Sequence, residues 1–84
     1  MKFSERNLLI KEVNNRFAVE HDKYTCSVRI LNEEEWNDYV HAMDSISNEF
    51  RGGHMEKIVS DLCMAYLDDT EEIQKKLKGS KNAT

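Results

Sequence analysis

The 84-residue chain has no proline, only three glycines and only two cysteines. Without proline, no rigid linker and no proline-terminated helix announces itself. The glycines, Gly52, Gly53 and Gly79, form neither a GxGxxG fingerprint nor a P-loop with its Lys-Ser/Thr, so a phosphate cradle of either kind is excluded. Cys26 and Cys63 lie far apart, with no CxxC pair and no zinc-ligand spacing. They are expected to be reduced, buried thiols acting as small hydrophobes, in a cytoplasmic protein with neither metal nor cofactor. No apolar run approaches the ~18 residues of a membrane span. The apolar residues near the start, Leu8-Leu9-Ile10, read as too short for a secretory signal.

What is present is a short, charged chain, 39% apolar and 33% charged. Its length suits one domain, expected over residues 1–78 with a flexible tail at 79–84. A core this thin buries only ~60% of the unfolded surface. The net charge of −4 hides a strong segregation. Residues 1–31 carry six bases against four acids. Residues 32–72 carry two bases against twelve acids, a net of −10, and residues 73–84 carry four lysines and no acid. An anionic middle therefore lies between two weakly cationic ends.

The N-terminal third alternates with a period of two. Phe17, Val19 and His21 precede Tyr24, Cys26, Val28 and Ile30, and a turn at Asp22-Lys23 sets His21 opposite Tyr24, Val19 opposite Cys26 and Phe17 opposite Val28. Residues 8–13 read either as a third strand, joined through Asn14-Asn15, or as a helix with Ser4 as cap and Leu9, Val13 and Phe17 at i, i+4 and i+8. The meander is preferred because Asn-Asn is a poor helix interior. Downstream, Asn32 is an N-cap followed by Glu33, Glu34 and Glu35. Trp36, Tyr39, Met43, Ile46 and Phe50 then make one apolar stripe that ends at Gly52-Gly53. A second helix starts near Met55 and carries Ile58, Val59, Leu62, Cys63, Tyr66 and Leu67. At Asp68-Asp69-Thr70 it either kinks or gives way to a third helix capped by Asp69 or Thr70. The expected architecture is α+β, a small antiparallel β-meander packed on an antiparallel helical hairpin.

Little in the chain points to catalysis. His41 and Asp44 share a polar helix face with Asn37 and Asn48, but no nucleophile motif accompanies them. His54 falls in the loop and His21 at the rim of the sheet. Asp68, Asp69, Glu71 and Glu72 lack the spacing of a calcium loop and read as a helix cap. The protein is not expected to be an enzyme.

The charge pattern predicts a small acidic protein-binding module that docks on a basic partner surface, including the nucleic-acid-binding surfaces of other proteins, as inhibitors, regulators and anti-defence or immunity-type proteins do. The residues expected to meet the partner's Arg and Lys are Glu34, Asp38, Glu49, Glu56, Asp61, Asp68 and Asp69. One alternative is direct RNA or DNA binding by Lys11, Arg16 and Arg29 on the outer sheet face together with Lys75, Lys76, Lys78 and Lys81. Against it, Phe17 and Tyr24 fall on the core side, and the acidic middle repels phosphate. Another alternative is a homodimer formed by apolar surface left over on the second helix. No membrane partner is expected.

Overall fold

Leu9, Val13, Phe17 and Tyr24, which the alternating pattern assigned to strands, stand on one side of a single long helix. The structure, a computed structural model, describes residues 2–26 and 29–82, with side chains through residue 79. Among these residues there are three helices, α1 (Phe3–Thr25), α2 (Glu33–Asn48) and α3 (Glu56–Asn82), and no strand. The expected meander is overturned, and with it the α+β architecture.

The physical reason is visible in the burial pattern. Val13 and Phe17 are fully enclosed, whereas Leu8 and Val19, which the meander would turn inward, remain 58% and 56% exposed. Only the 3.6-residue period separates these residues correctly. Asn14 costs α1 a few tenths of a kcal/mol in propensity, but its Oδ1 accepts a 2.9 Å hydrogen bond from the Tyr66 hydroxyl of α3. Tertiary bonding thus offsets the local preference that argued for a turn. Ser4 lies inside the helix. The cap position is Lys2, which makes no side-chain cap bond. The hairpin partner Val28 lies outside the described residues.

α2 begins as its sequence suggests. Asn32 Oδ1 accepts from Glu35 N at 2.8 Å, and Asn32 N donates to Glu35 Oε1 at 3.2 Å, a reciprocal capping box. The helix ends in i→i−3 bonds, Glu49 N to Ile46 O, Phe50 N to Ser47 O and Arg51 N to Asn48 O, that tighten the chain into a turn. Gly52 follows at φ 82°, a left-handed conformation that side chains disfavour. α3 runs unbroken through Asp68-Asp69-Thr70. Thr70 is buried, and its hydroxyl donates to Tyr66 O one turn back instead of capping a new helix. The backbone of α3 continues through Gly79 to Asn82, so the segment expected to form a flexible tail is helical as far as it is described. Residues 83 and 84 lie outside the described residues.

The bonds between helices fix the topology. Arg16 reaches Glu49, and Tyr24 packs on Tyr39 with ring centroids 4.9 Å apart, so α1 and α2 are antiparallel. Asn14 meets Tyr66 and His21 meets Asp69, so α1 and α3 run parallel. The result is an up-down-up three-helix bundle. Its core joins Val13 and Phe17 of α1, Tyr39, Met43 and Ile46 of α2, and Met55, Val59 and Cys63 from the turn and α3. The radius of gyration, 14.9 Å, exceeds the ~12 Å of a compact chain of this length. α2 is the shortest of the three helices, and α3 extends beyond it.

Two buried polar residues tie the bundle together. The Tyr39 and Thr70 hydroxyls are 2.9 Å apart. Gln74 clamps the α1–α2 connection, accepting from Leu31 N at 2.8 Å and donating to Arg29 O at 3.1 Å. Of the two cysteines only Cys63 is buried, where desolvation pushes its thiol up, with Asp44 adding to the shift. Cys26 is exposed at the end of α1, contrary to the expectation of two core thiols.

Candidate functional site

α2 contains five acidic residues and neither lysine nor arginine. Tyr39, Met43 and Ile46 take its inward side. The outward side is left with Glu34, Asp38 and Asp44, interspersed with Asn37, His41, Ser45 and Asn48, all exposed. Successive residues turn by ~100°, so Glu34 and Asp38 lie one above the other, with Asp44 toward the α3 side of the same face. Among the described residues none of the three carboxylates has an ion-pair partner. His41 lies on the same face.

The acids expected to meet a partner fall into two groups. Glu34 and Asp38 on α2, and Glu56 and Asp68 on α3, are exposed and make no ion pair among the described residues. The other three are engaged within the chain. Glu49 forms a two-pronged pair with the Arg16 guanidinium, one arm of it at 3.0 Å. Asp61 pairs with Lys57 at 3.3 Å along α3, and Asp69 Oδ2 lies 2.8 Å from His21 Nε2. The carboxylates are thus distributed over two helices, with the unpaired ones densest on α2. Asp44 completes that face. The sequence placed it beside His41 on the polar side, three residues further along the helix.

The charge pairs set the local electrostatics. The hydrogen bonds to Arg16 hold the Glu49 carboxyl below its ordinary value. Arg29, with help from the Asn32 backbone, does the same for Glu35 at the start of α2. In return the carboxylates push both guanidinium groups further up. The basic face expected of a sheet therefore has no counterpart: Arg16 and Arg29 are both neutralised by acids of the hairpin, and Lys11 stands exposed on α1. Lys75, Lys76 and Lys78 remain exposed near the C-terminal end of α3, and the Lys81 side chain lies outside the described ones.

An open groove of about 520 Å³ lies where the start of α2 meets the last third of α3. Leu31 and the half-buried Trp36 give it apolar walls, with Glu33, Glu71, Lys75 and Lys78 around the rim. A smaller hollow of about 230 Å³ lies at the opposite end, against Leu9, Phe50, His54 and Met55. His21 is held by Asp69 and Thr25 and stacks on Tyr66 with ring centroids 5.2 Å apart, and it lines neither of these hollows. No three His, Cys, Asp or Glu side chains among the described residues converge on a point where a metal ion could sit. No described helix is long and apolar enough to cross a membrane. The apolar residues Ile58, Val59, Leu62, Cys63, Tyr66 and Leu67, suggested as a leftover dimer face, are taken up in and around the core.

These features define a three-helix bundle with an anionic central helix. Comparison of the chain with protein-family models, with curated proteins and with solved structures finds no match.

Proposed function

We propose that the protein is a non-catalytic binding module that docks the outward face of α2 against a basic surface of a partner protein. The observation carrying this reading is that Glu34, Asp38 and Asp44 are exposed, and unpaired among the described residues, on a helix that has no lysine or arginine. Carboxylates that are exposed and unpaired inside the chain keep their full attraction for a partner's Arg and Lys. Glu49 and Asp69 have already committed theirs to α1. A one-signed field of this kind speeds encounter by ~10-fold or more at low salt and sets orientation. Inhibitors and regulators that cover the nucleic-acid groove of an enzyme need such a face.

The test is affinity capture from the native host with wild-type protein and with the Glu34→Gln/Asp38→Asn/Asp44→Asn variant as baits, then stopped-flow association with the captured protein across a salt series. The reading requires the variant to associate at least several-fold more slowly at low salt, with a flatter salt dependence. Equal rates and equal salt slopes would reject it. The matched control is Glu5→Gln/Glu12→Gln/Asp22→Asn, which removes the same three charges from exposed positions of α1.

A further inference from the structure

The side of α1 turned away from the core is not purely polar. Leu8 and Val19 are 58% and 56% exposed, and Cys26, the helical C-cap residue, is exposed as well. At ~100° per residue, positions 8, 15, 19 and 26 fall within ~20° of one line along the helix. That line lies opposite Val13, Phe17 and Tyr24, which take the core side. Over ~27 Å the stripe reads Leu8, Asn15, Val19, Cys26. All four are exposed, so neither α2 nor α3 covers it. Charged residues border it in a fixed order. Lys11 and Asp22 lie ~40–60° to one side of the line, and Glu12 and Lys23 lie as far to the other. These four are exposed too. Lys11, Glu12 and Asp22 have no ion-pair partner among the described residues, and the 3.0 Å pair of Lys23 with Glu20 is a surface contact worth little.

We infer that a second copy of this chain packs on this stripe, the two α1 helices running parallel about a two-fold axis. In that arrangement each residue on the line meets its own counterpart: Leu8 on Leu8, Val19 on Val19, and Asn15 on Asn15, where an amide pair fixes the register. The two-fold also turns each edge of the stripe toward the opposite edge of the other copy. Lys11 then faces Glu12 of the other copy, ~1.5 Å apart in height, and Asp22 faces Lys23. Each contact occurs twice, so ion pairs of opposite sign flank the apolar line and like charges are kept apart. An antiparallel pairing also matches charge, Lys11 with Asp22 and Glu12 with Lys23. It sets Val19 on Asn15 and Leu8 on Cys26, however, and the apolar contacts are lost. A single narrow helix face falls short of the ~1,200 Å² of standard complexes, so the association is weak, populated at high concentration and negligible at the dilution of kinetic measurements. The outward face of α2 is not used, so the dimer stands independently of the function proposed above.

Sedimentation equilibrium in reductant, up to millimolar protein, tests the inference. The wild type is expected to move from 9.9 kDa toward twice that mass as concentration rises. Leu8→Ser/Val19→Ser alters only exposed residues, so circular dichroism should find it folded. It should dimerise at least ~10-fold more weakly, since two apolar contacts are lost. Lys11→Glu/Lys23→Glu and Glu12→Lys/Asp22→Lys should each stay monomeric, and an equimolar mixture of the two should restore the doubled mass. A short thiol-specific bismaleimide reads the orientation, Cys63 being buried. The wild type should crosslink through Cys26, and Leu8→Cys/Cys26→Ser through its introduced thiol. A mixture of these two proteins should give like-with-like products only. A wild type that stays monomeric at millimolar concentration overturns the inference, as does a dimer that Leu8→Ser/Val19→Ser retains at full strength. Crosslinks joining Cys26 to the introduced thiol overturn the parallel arrangement.

Discussion

The Tyr39 hydroxyl of α2 and the Thr70 hydroxyl of α3 lie 2.9 Å apart, and both residues are fully buried. Thr70 donates to Tyr66 O at 3.0 Å, which leaves its oxygen free to accept from Tyr39. The Tyr39 hydroxyl also lies 3.4 Å from that same carbonyl. A polar link therefore sits inside the apolar core, and desolvation there pushes the Tyr39 phenol up, partly offset by the Thr70 hydrogen bond.

Removing both ends of this link should cost less than the sum of removing each. Thr70→Val strands a buried phenol and should destabilise the bundle by ~1–3 kcal/mol. Tyr39→Phe takes away the donor and should cost ~1 kcal/mol. The double variant should be more stable than the sum of the two effects predicts, by ~0.5 kcal/mol or more, because neither partner is then left unsatisfied. Urea denaturation of the four proteins measures the coupling. Strict additivity would show that the hydroxyls do not act on each other.

Gln74 offers a second test, this time of the connection. Its amide satisfies two backbone groups, Leu31 N and Arg29 O, from α3. Gln74→Leu keeps the volume and removes both bonds, so a loss of ~1–3 kcal/mol is expected. Hydrogen exchange at the Leu31 amide should accelerate by more than the change in global stability alone explains, while amides of Met43 and Val59 follow global stability. Unchanged protection at Leu31 would mean that the clamp is not what orders the connection.

Acid should weaken the fold through two carboxylates paired with arginines distant along the chain or in the α1–α2 connection. Glu35 and Glu49 hold their protons less tightly in the folded chain than in the unfolded one, because Arg29 and Arg16 donate to them. The pairs' contribution is fully present above the ordinary glutamate value of ~4.3 and is lost as pH falls through the lower folded values. The expected melting temperature is level from neutral pH down to ~5 and drops below that. In Glu35→Gln/Glu49→Gln the drop should be shallower. Both pairs are exposed, so salt should narrow the difference between the two proteins. Parallel curves for the two proteins would remove the pairs from the acid response.

The helical second half could be read directly because each of its signals is local. Asn32 caps α2, Glu35 three residues on closes the box, and the stripe from Trp36 to Ile46 points inward over about three helical turns. The break at Gly52 also needs nothing beyond its own backbone. In α1 the local signals conflict. Phe17, Val19 and His21 satisfy a period of two, while Val13, Phe17 and Tyr24 satisfy a period near 3.6, and the two share Phe17. Asn14 and Asn15 tipped the reading toward a turn. What decides it is the Tyr66 hydroxyl, 52 residues away, which gives Asn14 a bond inside the helix.

The candidate site divides in the same way. Which residues of α2 look outward follows from their spacing alone. Which carboxylates remain unpaired does not, because Arg16 meets Glu49 across 33 residues and His21 meets Asp69 across 48. The sequence by itself determined the helical hairpin, its caps and its excess of acid, since these depend on neighbours within one or two turns. Only the tertiary structure decided that the first third is a helix and which of the acids are neutralised. Both depend on the third helix packing against the other two, where a long-range bond outweighs a local preference of a few tenths of a kcal/mol.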